Sequence, residues 1–316
     1  MKPYIFGVDL GGTTVKIGLF ENEELLDKWE IPTRTEENGK YILGDIADSI
    51  LLQMQKRGIS PDEIRGVGID VPGAVLEDGT VNRCVNLGWG VVRAHEELNR
   101  LLNGIPVEVA NDANAAALGE MWKGGGKGYS NVVMVTLGTG VGGGVIINGK
   151  IFSGAFGASG ELGHMLVNPD ETVLCGCGKK GHLEQYTSAN GVARLAKKHL
   201  EASDEDSCLR REENVTSKAV CDGAKAGDKR CIEIMEEFGS ILGRGLALVS
   251  CVVDPEIYVI GGGMSKAGPM VIDYVQKYYV EAAFHASTST RFALAELGND
   301  AGMYGCVKMV QDKIPE

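Results

Sequence analysis

Residues 8–20, VDLGGTTVKIGLF, run from an apolar strand through a glycine–threonine turn into a second apolar strand. Residues 135–147, VTLGTGVGGGVII, repeat that pattern: a strand, a Leu-Gly step, a Gly/Thr-rich turn and another strand. A second pair recurs as well, because VANDANAAALGE (109–120) and LGNDAGMYGCV (297–307) both pass from a strand into Asn-Asp-Ala and then a helix. Recurrence at separations far beyond a solenoid repeat predicts two related lobes with a cleft between them rather than an array. The runs IFGVDLG, GVGID, VEVAND, NVVMVTLG, IYVIGGG and RFALAEL alternate with helical patterns, which implies α/β architecture. Ile42, Ile46, Ile50 and Met54 recur every four residues and predict a helix over 41–58 that stops at Gly58. A longer helix is predicted over 228–253, ended by Asp254-Pro255, whereas the mixed charges of 201–214 read as a solvated loop.

A chain of 316 residues exceeds one typical core, so two domains or one large α/β domain are expected. With 31 basic against 43 acidic residues the net charge is −12, which gives no electrostatic footprint for nucleic acid or an anionic membrane. A small anion bound locally is compatible with that charge. Asp9 interrupts the early apolar run and no later run reaches membrane-span length, so a cytoplasmic protein is expected. In that compartment eight cysteines read as free thiols or metal ligands, with Cys84, Cys208, Cys221, Cys231, Cys251 and Cys306 read as structural.

Three glycine turns are candidates for holding phosphates: Asp9, Gly11, Gly12, Thr13 and Thr14; then Gly138, Thr139 and Gly140; then Gly261, Gly262 and Gly263. Glycine lets backbone N–H groups approach an anion and threonine adds a hydroxyl donor, although the first turn alone reads equally well as a plain hairpin. None matches the P-loop spacing or the dinucleotide-binding context, and an ATP site between two lobes fits better. Asp112 follows the strand PVEVA, where it reads as a helix N-cap; Asp300 shares that local context and reads mainly as a cap, so the tripeptide alone does not imply catalysis. CGCGKKGHLE (175–184) and the upstream His164 offer His164, Cys175, Cys177 and His182 as a tetrahedral Cys₂His₂ set. A glycine-rich loop with buried thiols and a redox pair are the alternatives, but C-x-C lacks the thioredoxin-like C-x-x-C context.

DLGGTTVK, NDANAAALGE, LGTGVGGG, GELGH and CGCGKKGHLE occur in the order found in the ROK family of sugar kinases and repressors. The resemblance spans essentially the whole chain and is strongest to the bacterial glucokinases of that family. It implies a two-lobed, actin-like (ribonuclease H-like) α/β ATPase fold with the active site in the interlobe cleft. The implied division is an N-terminal lobe over 1–118, with a C-terminal helix of about 300–316 packed back on it, and a larger lobe over 119–299. The implied reaction is ATP-dependent phosphorylation of glucose at its 6-hydroxyl, with Asp112 as general base and Asp9 helping to hold Mg²⁺. Gly73, Asn111, Asp112, Glu161, His164 and Glu184 are implied to bind the sugar, with Asn86 a weaker addition and Lys16 outside the catalytic set. The family pattern usually has cysteine where this chain has His182, and a structural Zn²⁺ on His164, Cys175, Cys177 and His182 is expected. A homodimer or homotetramer is implied.

Within the family, N-acetylglucosamine, N-acetylmannosamine, mannose, fructose or allose are alternative substrates and polyphosphate an alternative donor. A DNA-binding repressor would be expected to carry a helix-turn-helix segment before the first phosphate strand, which here begins within ten residues. A non-catalytic sugar sensor would be expected to lack Asp112.

Overall fold

The computed structural model describes residues 2–315. Its strands in chain order are β1 (Tyr4–Leu10), β2 (Thr14–Glu21), β3 (Glu24–Pro32), β4 (Ile64–Val71), β5 (Thr80–Cys84), β6 (Trp89–Arg93) and β7 (Val107–Asn111). They continue with β8 (Val132–Leu137), β9 (Val141–Ile147), β10 (Lys150–Ile151), β11 (Ile257–Gly261) and β12 (Arg291–Leu294). One five-stranded sheet has the order β3-β2-β1-β4-β7 and the other β10-β9-β8-β11-β12; β5 and β6 form a separate hairpin. β1, β4 and β7 are parallel, as are β8, β11 and β12, so each sheet gathers several carboxyl strand ends on one edge. In open α/β sheets that edge is where ligands bind.

The chain divides into two compact units. The first comprises the chain up to Ser130, Gly144–Gly160 and the chain from Leu297 on; the second comprises Asn131–Gly143 and Glu161–Glu296. The boundary therefore lies beyond the 118/119 division read from sequence. Its physical reason is the helix Asp112–Lys123, which packs on the helix Ala301–Lys313 within the first unit. Each helix supplies a glycine at the crossing. A Cβ on Gly305 would lie 1.8 Å from the Ala115 carbonyl oxygen, and one on Gly119 would lie 2.1 Å from that of Ala301.

The same C-terminal helix rests on β1 and β4, where a Cβ on Gly68 would meet the Cys306 carbonyl oxygen at 2.2 Å. On the sheet's other face, Ile42, Ile46, Ile50 and Met54 of the helix Ile42–Arg57 join the buried side chains of β1, β2 and β4 in one core. Gly58 ends that helix in the left-handed conformation (φ 67°). β4 is buried along almost its entire length, as a central parallel strand covered on both sides should be. β3 instead alternates exposed and half-buried positions, which fits an edge strand.

In the second unit the helix Lys229–Val253 packs on the helix Met270–Ala282. Ser250 Oγ lies 2.8 Å from both the Tyr258 and Tyr279 hydroxyls in the interior. The stretch 201–214 is not the fully solvated loop its charges suggest: Ser207 and Leu209 are buried, and Cys208–Arg211 forms a 3₁₀ turn. Among the described residues, no helix is long and apolar enough to cross a membrane.

Candidate active site and metal centre

In the first unit, three aspartates gather at the carboxyl edge of the parallel strands. Asp9 of β1 is in register with Asp70 of β4, and Val71 of β4 with Asn111 of β7, directly before Asp112. Asn111, not Asp112, is the helix N-cap: its Oδ1 accepts the Asn114 backbone N–H at 3.1 Å. Asp112 is the first helical residue and reaches solvent. One of its oxygens accepts the Ala113 backbone N–H at 2.8 Å and Asn111 Nδ2–H at 2.9 Å. Asn111 Nδ2 also donates to the Gly73 carbonyl at 3.0 Å, so Gly73 (φ 125°), Asn111 and Asp112 form one fixed arrangement.

Asp300, expected to cap the matching helix, makes no side-chain cap. Its carboxylate instead pairs with Lys28 at 2.8 Å. Lys16 lies opposite Asp9 across β1 and β2 and pairs with it at 2.9 Å, also donating to the Asn299 carbonyl at 3.2 Å. The turn between these strands is closed by Gly11 N–H to the Thr14 carbonyl at 3.1 Å, which leaves Gly12 and Thr13 exposed. Asn86 is exposed on the turn Val85–Leu87, at 3.9 Å from where a Gly12 Cβ would stand.

Asp70 is the residue that sequence reading passed over, since GVGID reads as a buried strand. It is fully buried, and its Oδ1 has no hydrogen-bond partner. Oδ2 accepts from the Cys306 thiol at 3.5 Å. Burial first, then the negative charges of Asp9 and Asp112, push its pKa well above the usual carboxylate range. A buried oxygen without a partner beside a second carboxylate is a donor set suited to a hard divalent cation such as Mg²⁺.

In the second unit the other two glycine turns stand at the ends of parallel neighbours, β8 and β11. Gly262 (φ 81°) presses on the backbone of Leu137, where a Cβ would lie 2.6 Å away, so Gly261–Gly263 and Gly138–Gly140 are adjacent. Thr139 sits between the two glycines of its turn, closed by Gly138 N–H to the Gly140 carbonyl at 3.0 Å. Glu184 reaches this turn and accepts the Val141 N–H at 3.0 Å through Oε2, while its Oε1 lies 3.7 Å from Cys175 Sγ.

His164 and His182 meet because the segments that carry them pair as antiparallel backbone: Leu166 bridges His182, and Leu183 N–H donates to the Met165 carbonyl at 2.8 Å. A tight turn over Cys175–Gly178 places both cysteines beside them. The four ligand atoms lie within 4.8 Å of one another. His182 Nδ1 is 3.3 Å from His164 Nδ1 and 3.4 Å from Cys177 Sγ. Zinc bonds of about 2.0–2.1 Å to nitrogen and about 2.3 Å to sulfur give tetrahedral edges of about 3.3 Å for N···N and about 3.6 Å for N···S, so the donor set fits. His164 turns its other nitrogen, Nε2, towards Glu161 at 3.8 Å. One imidazole can therefore face a metal on one side and a polar ligand on the other. The loop is braced by buried Glu171, which accepts from Tyr186 Oη at 2.6 Å, from Arg194 at 2.8 Å and from Val173 N–H at 3.0 Å.

Glycine turns and carboxylates at the ends of parallel strands in two α/β units are the actin-like fold of sugar phosphotransferases. A family model described as the ROK family matches residues 5–313, and the chain belongs to that family. A glucokinase of Halalkalibacterium halodurans is 38% identical over 305 residues, covering 95% of this chain and 92% of that one. The crystal structure of a ROK family glucokinase from Streptomyces griseus in complex with glucose and AMPPNP superposes with a TM-score of 0.75 at 31% identity, covering 98% and 99% of the two chains. That of a ROK hexokinase from Thermus thermophilus gives 0.79 at 27% identity, also covering 98% and 99%.

Proposed function

We propose that this sugar phosphotransferase is a glucokinase, which moves the γ-phosphoryl group of ATP to the 6-hydroxyl of glucose. The observation that carries the reading is Asp112, an exposed carboxylate at a helix N-terminus whose orientation is fixed by Asn111 and by its own neighbour's N–H. Asp112 takes the proton from the attacking hydroxyl, and the Asn111–Gly73 link keeps that oxygen aimed. Glu161, His164 and Glu184 bind ring hydroxyls; a sugar is recognised by donors and acceptors at fixed positions rather than by apolar volume. The turn Gly11–Thr14 in the first unit, and the turns Gly138–Gly140 and Gly261–Gly263 in the second, each offer their remaining backbone N–H groups as donors suited to phosphate oxygens. Asp9 and Asp70 would hold Mg²⁺, which would offset negative charge on the phosphates of ATP.

Zinc on His164, Cys175, Cys177 and His182 has a structural role in this reading, since four protein ligands leave no position for a reacting water. His164 would hold that ion through Nδ1, which faces His182, and Nε2, beside Glu161, would remain for the sugar. The same reading has the protein cytoplasmic and homo-oligomeric, as a dimer or tetramer. Support for glucose comes from the names of the relatives above. The test is ADP release measured over glucose, mannose, fructose, allose, N-acetylglucosamine and N-acetylmannosamine. The highest kcat/KM is expected with glucose; a higher value with another sugar replaces the substrate, and no release with any of them overturns the kinase reading.

A further inference from the structure

Outside the site described above, the second unit holds another pair of thiols beside a carboxylate. Cys208 lies at the surface on the 3₁₀ turn of the 201–214 stretch, and buried Cys231 is the third residue of the helix Lys229–Val253. Their sulfurs are 3.8 Å apart. Asp228, the N-cap of that helix, has a carboxylate oxygen close enough that all three potential ligand atoms lie within 4.8 Å of one another.

We propose that Cys208, Cys231 and Asp228 form a second cation site, specific for a thiophilic divalent ion of the zinc class. Two bonds of about 2.3 Å at the tetrahedral angle set their sulfurs about 3.8 Å apart, which is the separation found, whereas a disulfide requires about 2.05 Å. The pair is seated rather than accidental: a Cβ on Gly223 would come within 2.4 Å of Cys231 Sγ and 2.8 Å of Cys208 Sγ, so bare backbone lies beneath both sulfurs. The carboxylate is held in advance. Its Oδ1 accepts from Ser207 Oγ and Cys231 N–H, both at 3.0 Å, and its Oδ2 from Cys208 N–H at 2.7 Å. That leaves a lone pair on Oδ2 for a cation.

Two thiolates and a carboxylate are a mixed soft and hard set suited to zinc. Binding forms two metal–sulfur bonds and releases two thiol protons to solvent, with no change of oxidation state. Three protein ligands would leave the fourth position of a tetrahedral shell to water. The chemical effect is to pin the 201–214 stretch to the start of the long helix.

The experiment is equilibrium dialysis of the reduced, full-length chain against Cd²⁺, with cadmium per chain counted by elemental analysis and sulfur-to-cadmium charge-transfer absorption recorded in the ultraviolet. Cys208→Ser is expected to bind one cation fewer than wild type and to lose two sulfurs' worth of absorption, with Cys251→Ser, at an exposed thiol elsewhere, as wild type. Because the measure is a difference, it holds whether or not the His164 cluster takes cadmium. Cys175→Ala/Cys177→Ala should still bind the cation that Cys208→Ser loses. Equal counts in wild type and Cys208→Ser, or recovery of the wild-type pair as a disulfide under these conditions, would overturn the proposal.

Discussion

Asn111 Nδ2 lies 2.9 Å from Asp112 Oδ1 and 3.0 Å from the Gly73 carbonyl oxygen, so a single amide ties the helix-opening carboxylate to the loop after β4. The same side chain caps the helix through its other atom. Asn111→Ala is therefore expected to lower kcat by about 10- to 100-fold through loss of orientation. It should also cost about 1 kcal/mol of stability through loss of the cap. Steady-state kinetics beside urea unfolding separate the two effects; an unchanged kcat would show that Asp112 needs no such support.

The helix crossing at Gly305 tolerates no side chain, because the added carbon would sit 1.8 Å from the Ala115 carbonyl oxygen. Gly305→Ala should destabilise the chain by about 1–3 kcal/mol as the helices are forced apart. Gly44, within the helix Ile42–Arg57, has nothing within 4 Å of such a carbon. Gly44→Ala should instead stabilise by about 0.5–1 kcal/mol. Thermal melts of the two variants moving in the same direction would contradict this account of the packing.

Glu171 braces the metal loop as an ionised group. Burial raises its pKa, but hydrogen bonds from Tyr186, Val173 N–H and Arg194, with the positive charge of Arg194, outweigh that and hold it at about 2, below the ordinary 4.5. A depressed folded-state pKa means the contribution is present in full above about 4.5 and is lost as pH falls towards about 2. Glu171→Gln should thus show a smaller loss of stability than wild type between those limits. Urea unfolding at pH 6 and pH 3 reads the difference, and parallel losses would remove Glu171 from the explanation.

His182 supplies the nitrogen nearest both His164 and Cys177. His182→Ala should reduce zinc content by one ion per chain in protein purified without added metal. It should also raise the KM for glucose more than the KM for ATP, since His164 would lose the partner that faces its Nδ1. Unchanged zinc content would exclude His182 as a ligand.

The strands on either side of the glycine turns were legible in the sequence because their apolar runs are broken by residues that only a turn accommodates. The helices Ile42–Arg57 and Lys229–Val253 were legible from periodicity and from the residues that end them, Gly58 and Asp254. β3 was not, because an edge strand alternates charged and half-buried residues much as a loop does. Asp70 was hidden for the opposite reason: a central strand is apolar throughout, and one carboxylate in it gives no hint that its neighbours in space are Asp9 and Asp112. Asp300 was misread as a cap because its partner, Lys28, is 272 residues away in sequence. Cys208 and Cys231 looked like isolated cysteines for the same reason, since the turn of Cys208–Arg211 and the cap of Asp228 bring them together only in the folded chain.

The central claim is that Asp112 removes the proton from the sugar hydroxyl. Formation of glucose 6-phosphate by folded Asp112→Ala, measured under saturating ATP, Mg²⁺ and glucose, tests it most directly. The account predicts turnover about 10²–10⁴-fold below wild type with the fold intact by circular dichroism, whereas turnover within a few-fold of wild type would contradict it.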